Sequence, residues 1–151
     1  MSIAIRTAIA ADLPALAELF DQYRRFYEQP ADLPLAHRFL AERMSRGESV
    51  ILLAESEAQQ ALGFCQLYPT FCSVEARPIY ALYDLYVLPA QRRSGAGTAL
   101  LKAAEQLARR EGKARMDLTT ARDNLRAQSL YESLGWVRDE VFLAYNRAIK
   151  A

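Results

Sequence analysis

The residues best placed to do chemistry in this sequence lie just past Val87. The run Gln91-Arg92-Arg93-Ser94-Gly95-Ala96-Gly97-Thr98 follows an apolar stretch ending in Leu85-Tyr86-Val87, passes Pro89, and leads directly into a helical pattern. Such a turn suits an anion. Small residues let the backbone approach a phosphate, the unpaired N–H groups of the helix start point at it, and the helix dipole adds favourable field. Arg92 and Arg93 can supply charge-assisted hydrogen bonds. Two nucleotide readings fail on the residues. A P-loop requires a lysine before the Ser or Thr that follows its second glycine, and Gly97-Thr98-Ala99 offers none. The dinucleotide fingerprint requires a third glycine where Leu100 stands. For this segment taken alone, a plain strand-to-helix turn remains the alternative.

A second constellation lies further along, where Asn124-Leu125-Arg126-Ala127 leads into Tyr131 and then Gly135-Trp136. Asn124 is an expected helix N-cap. Ala127, Leu130, Tyr131 and Leu134 share one helical face, so Tyr131 on its own reads as a packed aromatic with a satisfied hydroxyl. Asp84 is the only carboxylate in the run 79–87. It has two readings, a structural hydrogen-bonding group near a bulge or a proton acceptor, because a buried carboxylate is costly unless partnered. The sequence shows no Ser-His-Asp or Cys-His arrangement. His37, the only histidine, reads as a surface or packing residue. Cys65 and Cys72 form no CxxC pair and have no histidine cluster, so they read as free thiols, with no metal site expected.

Arg92-Arg93-Ser94-Gly95-Ala96-Gly97 resembles the pyrophosphate-binding signature of the GNAT superfamily of N-acetyltransferases: Gln or Arg, two residues, Gly, one residue, then Gly or Ala. Asn124, Ala127, Tyr131 and Gly135-Trp136 resemble the family's second signature at every position. Ile5-Arg6 with Ala8, Asp12 and Leu16 is similar to its common opening. The resemblance spans essentially the whole chain, which is read as a single N-acetyltransferase domain over 1–151. It implies an α/β (α+β) fold: a mixed, strongly bent sheet flanked by helices, whose splayed central strands hold coenzyme A. It implies acetyl-CoA as cosubstrate, with cofactor contacts at Leu85, Tyr86, Val87, Arg92, Arg93, Ser94, Gly95, Ala96, Gly97, Thr98, Asn124 and Tyr131. The pantetheine arm would pair with the strand edge at Leu85, Tyr86 and Val87, and a backbone N–H near Val87 would polarise the thioester carbonyl. Tyr131 would protonate the departing thiolate. Asp84, or a water chain, would accept the proton of the amine. Direct attack by the amine in a ternary complex is expected, not an acyl-enzyme.

The strand Tyr80-Ala81-Leu82-Tyr83-Asp84-Leu85-Tyr86-Val87 looks like that of diamine (spermidine/spermine) acetyltransferases, which carry Leu-Glu-Asp followed by an aromatic. Tyr83 stands here in place of the Glu. The chain is also similar to bacterial relatives of a yeast histone acetyltransferase. The family topology puts Phe26, Tyr27, Glu28, Asp32, Tyr68, Phe71, Glu75, Tyr80 and Tyr83 around the acceptor entrance, with Tyr27, Tyr83 and Asp84 as substrate contacts. Such a lining suits a cationic acceptor, a polyamine, diamine or lysine-like amine. Arg24, Arg25 and Arg77 pull toward an anionic one. A non-catalytic coenzyme-A-binding sensor or scaffold of the same fold is the competing reading.

The elements that must position these residues follow from periodicity and turn chemistry. Strands are expected over 3–7, 49–54, 62–68, 79–87 and 116–119, with one or two closing strands from Trp136 onward. Asp12 is the expected N-cap of a first helix carrying Pro14 in its first turn and Leu16, Leu19, Phe20 and Tyr23 on one face. Further helices are expected over 35–46, 95–111 and 127–134, the first two stopped by Gly47 and Gly112 and the last by Gly135. The 151 residues, 52% hydrophobic and 25% charged, are those of an ordinary globular domain. A net charge of +1 draws the chain to neither nucleic acid nor an anionic membrane. The apolar runs are too short to span a bilayer, and the opening residues lack a signal-peptide pattern, so a cytoplasmic protein is expected. Apolar residues over 136–148 permit a homodimer.

Overall fold

The first helix begins where Pro14 and the apolar spacing require. In the computed structural model, which describes residues 2–151, strand β1 (Ala4–Thr7) runs through a short 3-10 turn (Ala10–Asp12) into α1 (Leu13–Phe26). Leu16, Leu19 and Phe20 are buried on its inner face. Asp12 stands at the expected N-cap position, yet its side chain does not cap α1. The backbone there is already helical, so the carboxylate turns back and accepts the Ile9 N–H at 2.8 Å. It also takes two hydrogen bonds from Arg6, at 2.7 and 2.8 Å. Helix α2 (Leu33–Ser45) starts two residues earlier than expected because the Asp32 carboxylate accepts the Leu35 N–H.

Strands β2 (Val50–Glu55), β3 (Ala61–Cys72) and β4 (Arg77–Val87) form antiparallel neighbours. After α3 (Ala96–Arg110), the short β5 (Met116–Asp117) pairs with β4 in parallel. The five-stranded sheet therefore runs β1-β2-β3-β4-β5 and is mixed, flanked by helices, as expected. Its β3–β4 hairpin outruns the expected strands, continuing through Pro69. Tyr80, opposite Pro69, donates its N–H to Arg115 on the β5 side. The Pro69–Tyr80 pair therefore exchanges no ladder bonds, and proline's missing donor costs nothing there.

Ile51, Leu53, Phe64 and Tyr86 form one core with Leu16, Leu19, Phe20 and Leu40 of the first two helices. Alternation turns Leu52, Ala54, Cys65 and Leu67 to the opposite face. There α3 packs on β2, β3 and β4 through Leu100, Leu101, Ala104 and Leu107. Gly63 is required where β3 crosses β4, since a Cβ there would lie 2.6 Å from the Tyr86 carbonyl oxygen.

By its contacts the chain divides into two units, Met1–Thr119 and Thr120–Ala151. The second holds α4 (Leu125–Ser133). The closing strands expected from Trp136 are absent: no residue past 133 is in a strand, and Val137, Val141, Phe142, Leu143, Tyr145 and Ile149 are exposed. Two physical reasons apply. A strand exists only where a neighbour takes its N–H and C=O groups, which β-propensity alone does not supply. In addition, the Asp139 carboxylate accepts the N–H groups of Val141 and Phe142, at 2.8 and 3.0 Å, in a local turn.

Candidate active site

Strands β4 and β5 pair only at Tyr80–Met116 and Ala81–Asp117. Beyond Ala81, no strand among the described residues covers the β5 side of β4. The Leu88 N–H is directed to Leu62 on β3 at 2.9 Å. Alternation therefore turns the polar backbone groups of Tyr86 toward β3 and those of Leu85 and Val87 to the open edge. Of the three expected edge residues, Leu85 and Val87 present hydrogen-bonding groups. Tyr86 is a core residue whose hydroxyl donates to Gln22.

Below this edge the glycine turn has the expected form. A 3-10 turn (Pro89–Gln91) is followed by left-handed backbone at Arg93 and Gly95, and α3 starts at Ala96. The Ser94 hydroxyl donates to the Gln91 carbonyl and accepts weakly from the Ala96 N–H, at 3.4 Å. The first turn of α3 makes its first helical bond from Ala99 to Gly95. The N–H groups of Gly97 and Thr98 therefore point out of the helix start. These donors, the small residues and Arg93 fit a pyrophosphate, and the open β4 edge fits an extended amide-bearing arm. Arg92 lies elsewhere. Its Nε donates to the Val87 carbonyl at 3.2 Å, and its guanidinium sits 5.7 Å from the Phe26 ring and 5.8 Å from that of Tyr86.

On the helix α1–α2 side of β4 the register shifts by one residue. Leu82 lies opposite Leu67 but Asp84 lies opposite Gln66, so Tyr83 is the extra residue of a bulge. The bulge reverses the side-chain alternation and turns Asp84 onto the face of Gln66 and Phe64. Asp84 is 7% exposed, accepts from Gln66 Nε2 at 2.9 Å and from the Tyr23 hydroxyl, and has no salt-bridge partner among the described residues. Burial pushes its carboxyl above the ordinary range, and the two hydrogen bonds oppose that rise. Around it, Tyr83 packs edge-on to Tyr68 at 5.4 Å, and Tyr27 packs edge-on to Tyr23 at 5.2 Å. Burial and the Asp84 charge push the Tyr68 hydroxyl up to about 12. Tyr83, at 69% exposed, and Tyr27 form the outer part of this aromatic patch.

Not all the expected lining residues belong here. Before the bulge the alternation is opposite, so Tyr80 faces the α3 side, buried, with Lys113 Nζ 4.6 Å from its ring centre. Glu75 pairs with Arg115, Asp32 caps α2, and Arg25 pairs with Asp21. His37 is exposed. Gln66 and Tyr23 were not singled out from the sequence as site residues. The signal for Gln66 was a lone amide in the otherwise apolar run 61–67.

The second unit accounts for every residue of its signature locally. Asn124 caps α4, its side-chain oxygen accepting the Ala127 N–H at 3.2 Å. At the other end Gly135 has φ of +93°, its N–H bonds to Glu132, and the Trp136 N–H bonds to Tyr131. That is a Schellman stop, completed by the Tyr131–Trp136 ring contact at 6.1 Å.

These features define an acetyltransferase. The family model described as "Acetyltransferase (GNAT) family" matches residues 13–136, and the chain belongs to that family. It is 48% identical over 141 residues to the uncharacterized N-acetyltransferase YhfO of Bacillus subtilis, covering 93% of this chain and 94% of that one. It is 32% identical over 116 residues to an aminoglycoside N(6')-acetyltransferase type 1 of Acinetobacter haemolyticus, covering 75% and 77% of the two chains. A crystal structure of a probable acetyltransferase superposes with a TM-score of 0.91 at 39% identity, over 100% of this chain and 99% of that one. Among the described residues no group of His, Cys, Asp and Glu side chains is arranged to hold a metal. No helix among them is long and apolar enough to cross a membrane.

Proposed function

We propose that this chain moves the acetyl group of acetyl-CoA to the nitrogen of a cationic primary amine by direct attack in a ternary complex, with residues 1–151 acting as one domain. The observation that carries the acceptor class is Asp84, a buried carboxylate beneath an aromatic patch, held by neutral donors alone. An ammonium arriving there meets an uncompensated negative charge and the faces of Tyr83 and Tyr27. The aminoglycoside named for the Acinetobacter relative is itself a multiply cationic amine, which agrees with this class.

The cosubstrate supplies an acetyl group already activated as a thioester. The Gly97 and Thr98 N–H groups and Arg93 hold its pyrophosphate, joined by Arg92 once it leaves Val87. Leu85 and Val87 orient the pantetheine arm, with Asn124 as a further contact, and a Val87 N–H facing the thioester carbonyl favours charge building on its oxygen. Asp84 takes one proton from the ammonium and passes it to water. As the N–C bond forms and the C–S bond breaks, Tyr131 gives its proton to the sulfur and is restored by the second proton leaving nitrogen. The support for Asn124 and Tyr131 is their place in the family's second signature. A homodimer, for its part, rests on the exposed apolar side chains between Val137 and Ile149.

Thiol release from acetyl-CoA across a panel of polyamines, diamines, lysine peptides and phosphorylated amines tests the proposal. Cationic amines should turn over best. Tyr131→Phe should lower kcat by about 10²–10⁴ while leaving acetyl-CoA affinity unchanged. Tight acetyl-CoA binding with no turnover on any amine would instead establish a sensor or scaffold. An anionic amine as the best acceptor would overturn the cation reading.

A further inference from the structure

We infer that Gln66 is the positioning residue of the acceptor site. Its Nε2 fixes the Asp84 carboxylate in the orientation that receives a proton, and its Oε1 accepts a second N–H of the incoming ammonium. This rests on the reading of Asp84 as the proton acceptor.

The argument starts from where the amide is. Gln66 is fully buried in β3 between Cys65 and Leu67, themselves fully buried. A primary amide carries two donors and an acceptor that all lose water on burial. A leucine at this position would avoid that desolvation cost but would leave the buried Asp84 carboxylate with one donor fewer. One end of the amide is accounted for, since Nε2 donates to Asp84 Oδ2 at 2.9 Å. The other end is not. Oε1 is buried and has no hydrogen-bond partner among the described residues. Buried acceptors left unpaired are rare and costly in folded proteins, and such an atom marks a place where a donor binds.

Geometry identifies the donor. The Tyr83 bulge sets Asp84 directly opposite Gln66, so Oε1 lies one amide width from the bond to the carboxylate. Two acceptors, one charged when ionised and one neutral, thus stand together on the α1–α2 face of the sheet. Tyr23 supplies Asp84 with a hydroxyl and no positive charge. An ammonium fans three N–H groups toward its surroundings and can engage both acceptors at once. When Asp84 removes one proton, the N–H held by Oε1 keeps the nitrogen from rotating, and its lone pair points in a set direction. A single carboxylate would fix the charge but leave that direction free.

Gln66→Met keeps the volume and removes both polar ends, with Gln66→Leu as the second variant, and thermal denaturation checks that each folds. In the protein without amine or cosubstrate, carboxyl NMR with the Asp84 signal assigned by Asp84→Asn should show the Asp84 titration moved to higher pH. The donor favouring its ionised form is gone. In turnover with spermidine and 1,4-diaminobutane as probes, the acidic limb of kcat/KM should move the same way. The amine KM should rise about tenfold, the loss of one hydrogen bond to a charged group, and the KM for acetyl-CoA should stay put. A folded variant that loses thermal stability but keeps the wild-type Asp84 titration and amine KM would make Gln66 a packing residue and overturn the inference. Wild-type protein that acetylates no amine, with the Asp84 titration still dependent on Gln66, would instead remove the proposed function and leave the positioning intact.

Discussion

Asp12 and Asp84 are the same side chain placed in two opposed environments. At the start of α1, Asp12 is clamped by both terminal nitrogens of Arg6, whose Nε pairs at the same time with Glu55 of β2 at 2.7 Å. That arginine hydrogen bond, above all, holds the Asp12 carboxyl below the ordinary range. At the β4 bulge, Asp84 has no arginine, sits deeper, and is pushed the other way by burial. The first arrangement ties β1, α1 and β2 together. The second buries a carboxyl with no salt-bridge partner among the described residues, so that its ionised form is costly to the fold. In the proposed function, that carboxyl is the group that takes the proton of the incoming amine.

The largest expected effect comes from breaking the second arrangement. Asp84→Asn should cut kcat/KM for the amine by about 10²–10⁴ and leave acetyl-CoA affinity unchanged. It should also raise Tm at pH 7. Because the folded-state pKa of Asp84 lies above its ordinary 3.8, the folded form loses stability as pH climbs from that value through the raised one. The amide avoids that loss, so its advantage should disappear below about pH 3.8.

Asp12→Asn should do the reverse: lower stability at pH 7 by about 0.5–1.5 kcal/mol, screening at the half-exposed Arg6 keeping the effect modest, with unchanged turnover. Here the folded-state pKa is depressed, so the Asp12 contribution is present above its ordinary 3.8 and fades as pH falls through the lowered value. Urea melts of both variants across acidic pH therefore give stability differences of opposite sign that converge toward zero. A gain for Asp12→Asn, or a loss for Asp84→Asn, at neutral pH would dissolve the contrast.

The smallest effect sharpens it. Raising salt to about 1 M shortens the Debye length to about 3 Å. The Tm gap between wild type and Asp12→Asn should narrow, since Arg6 is solvent-facing, while the gap for Asp84→Asn should persist because burial excludes the counterions.

Local chemistry made much of this legible beforehand. The whole span from Asn124 to Trp136 is one helix with a side-chain cap at its front and a glycine stop at its back, each set by residues within five positions. The glycine turn was likewise readable, because small residues and a helix start lie side by side in the chain. A bulge near Asp84 was one of its two readings, but its place at Tyr83 and the direction it gives Asp84 were not legible. Its direction depends on a register between β3 and β4 that no alternation within β4 reveals, and the same register sends Tyr80 to the other face. The missing closing strands failed for a related reason: the apolar residues after Trp136 have strand propensity, but a strand also needs a neighbour from outside its own segment, and none pairs with them among the described residues.

The sequence by itself determined the caps, the glycine turn, the buried faces of the helices, and the two signatures that mark the family. Each depends on contacts a few residues apart. Tertiary structure alone decided that Asp84 faces Gln66 across the β3–β4 register and bonds to Tyr23 of α1, and that Tyr80 faces the α3 side. Those choices depend on which strands become neighbours and in what register, and pairing free energy is summed over many residues distant in the chain.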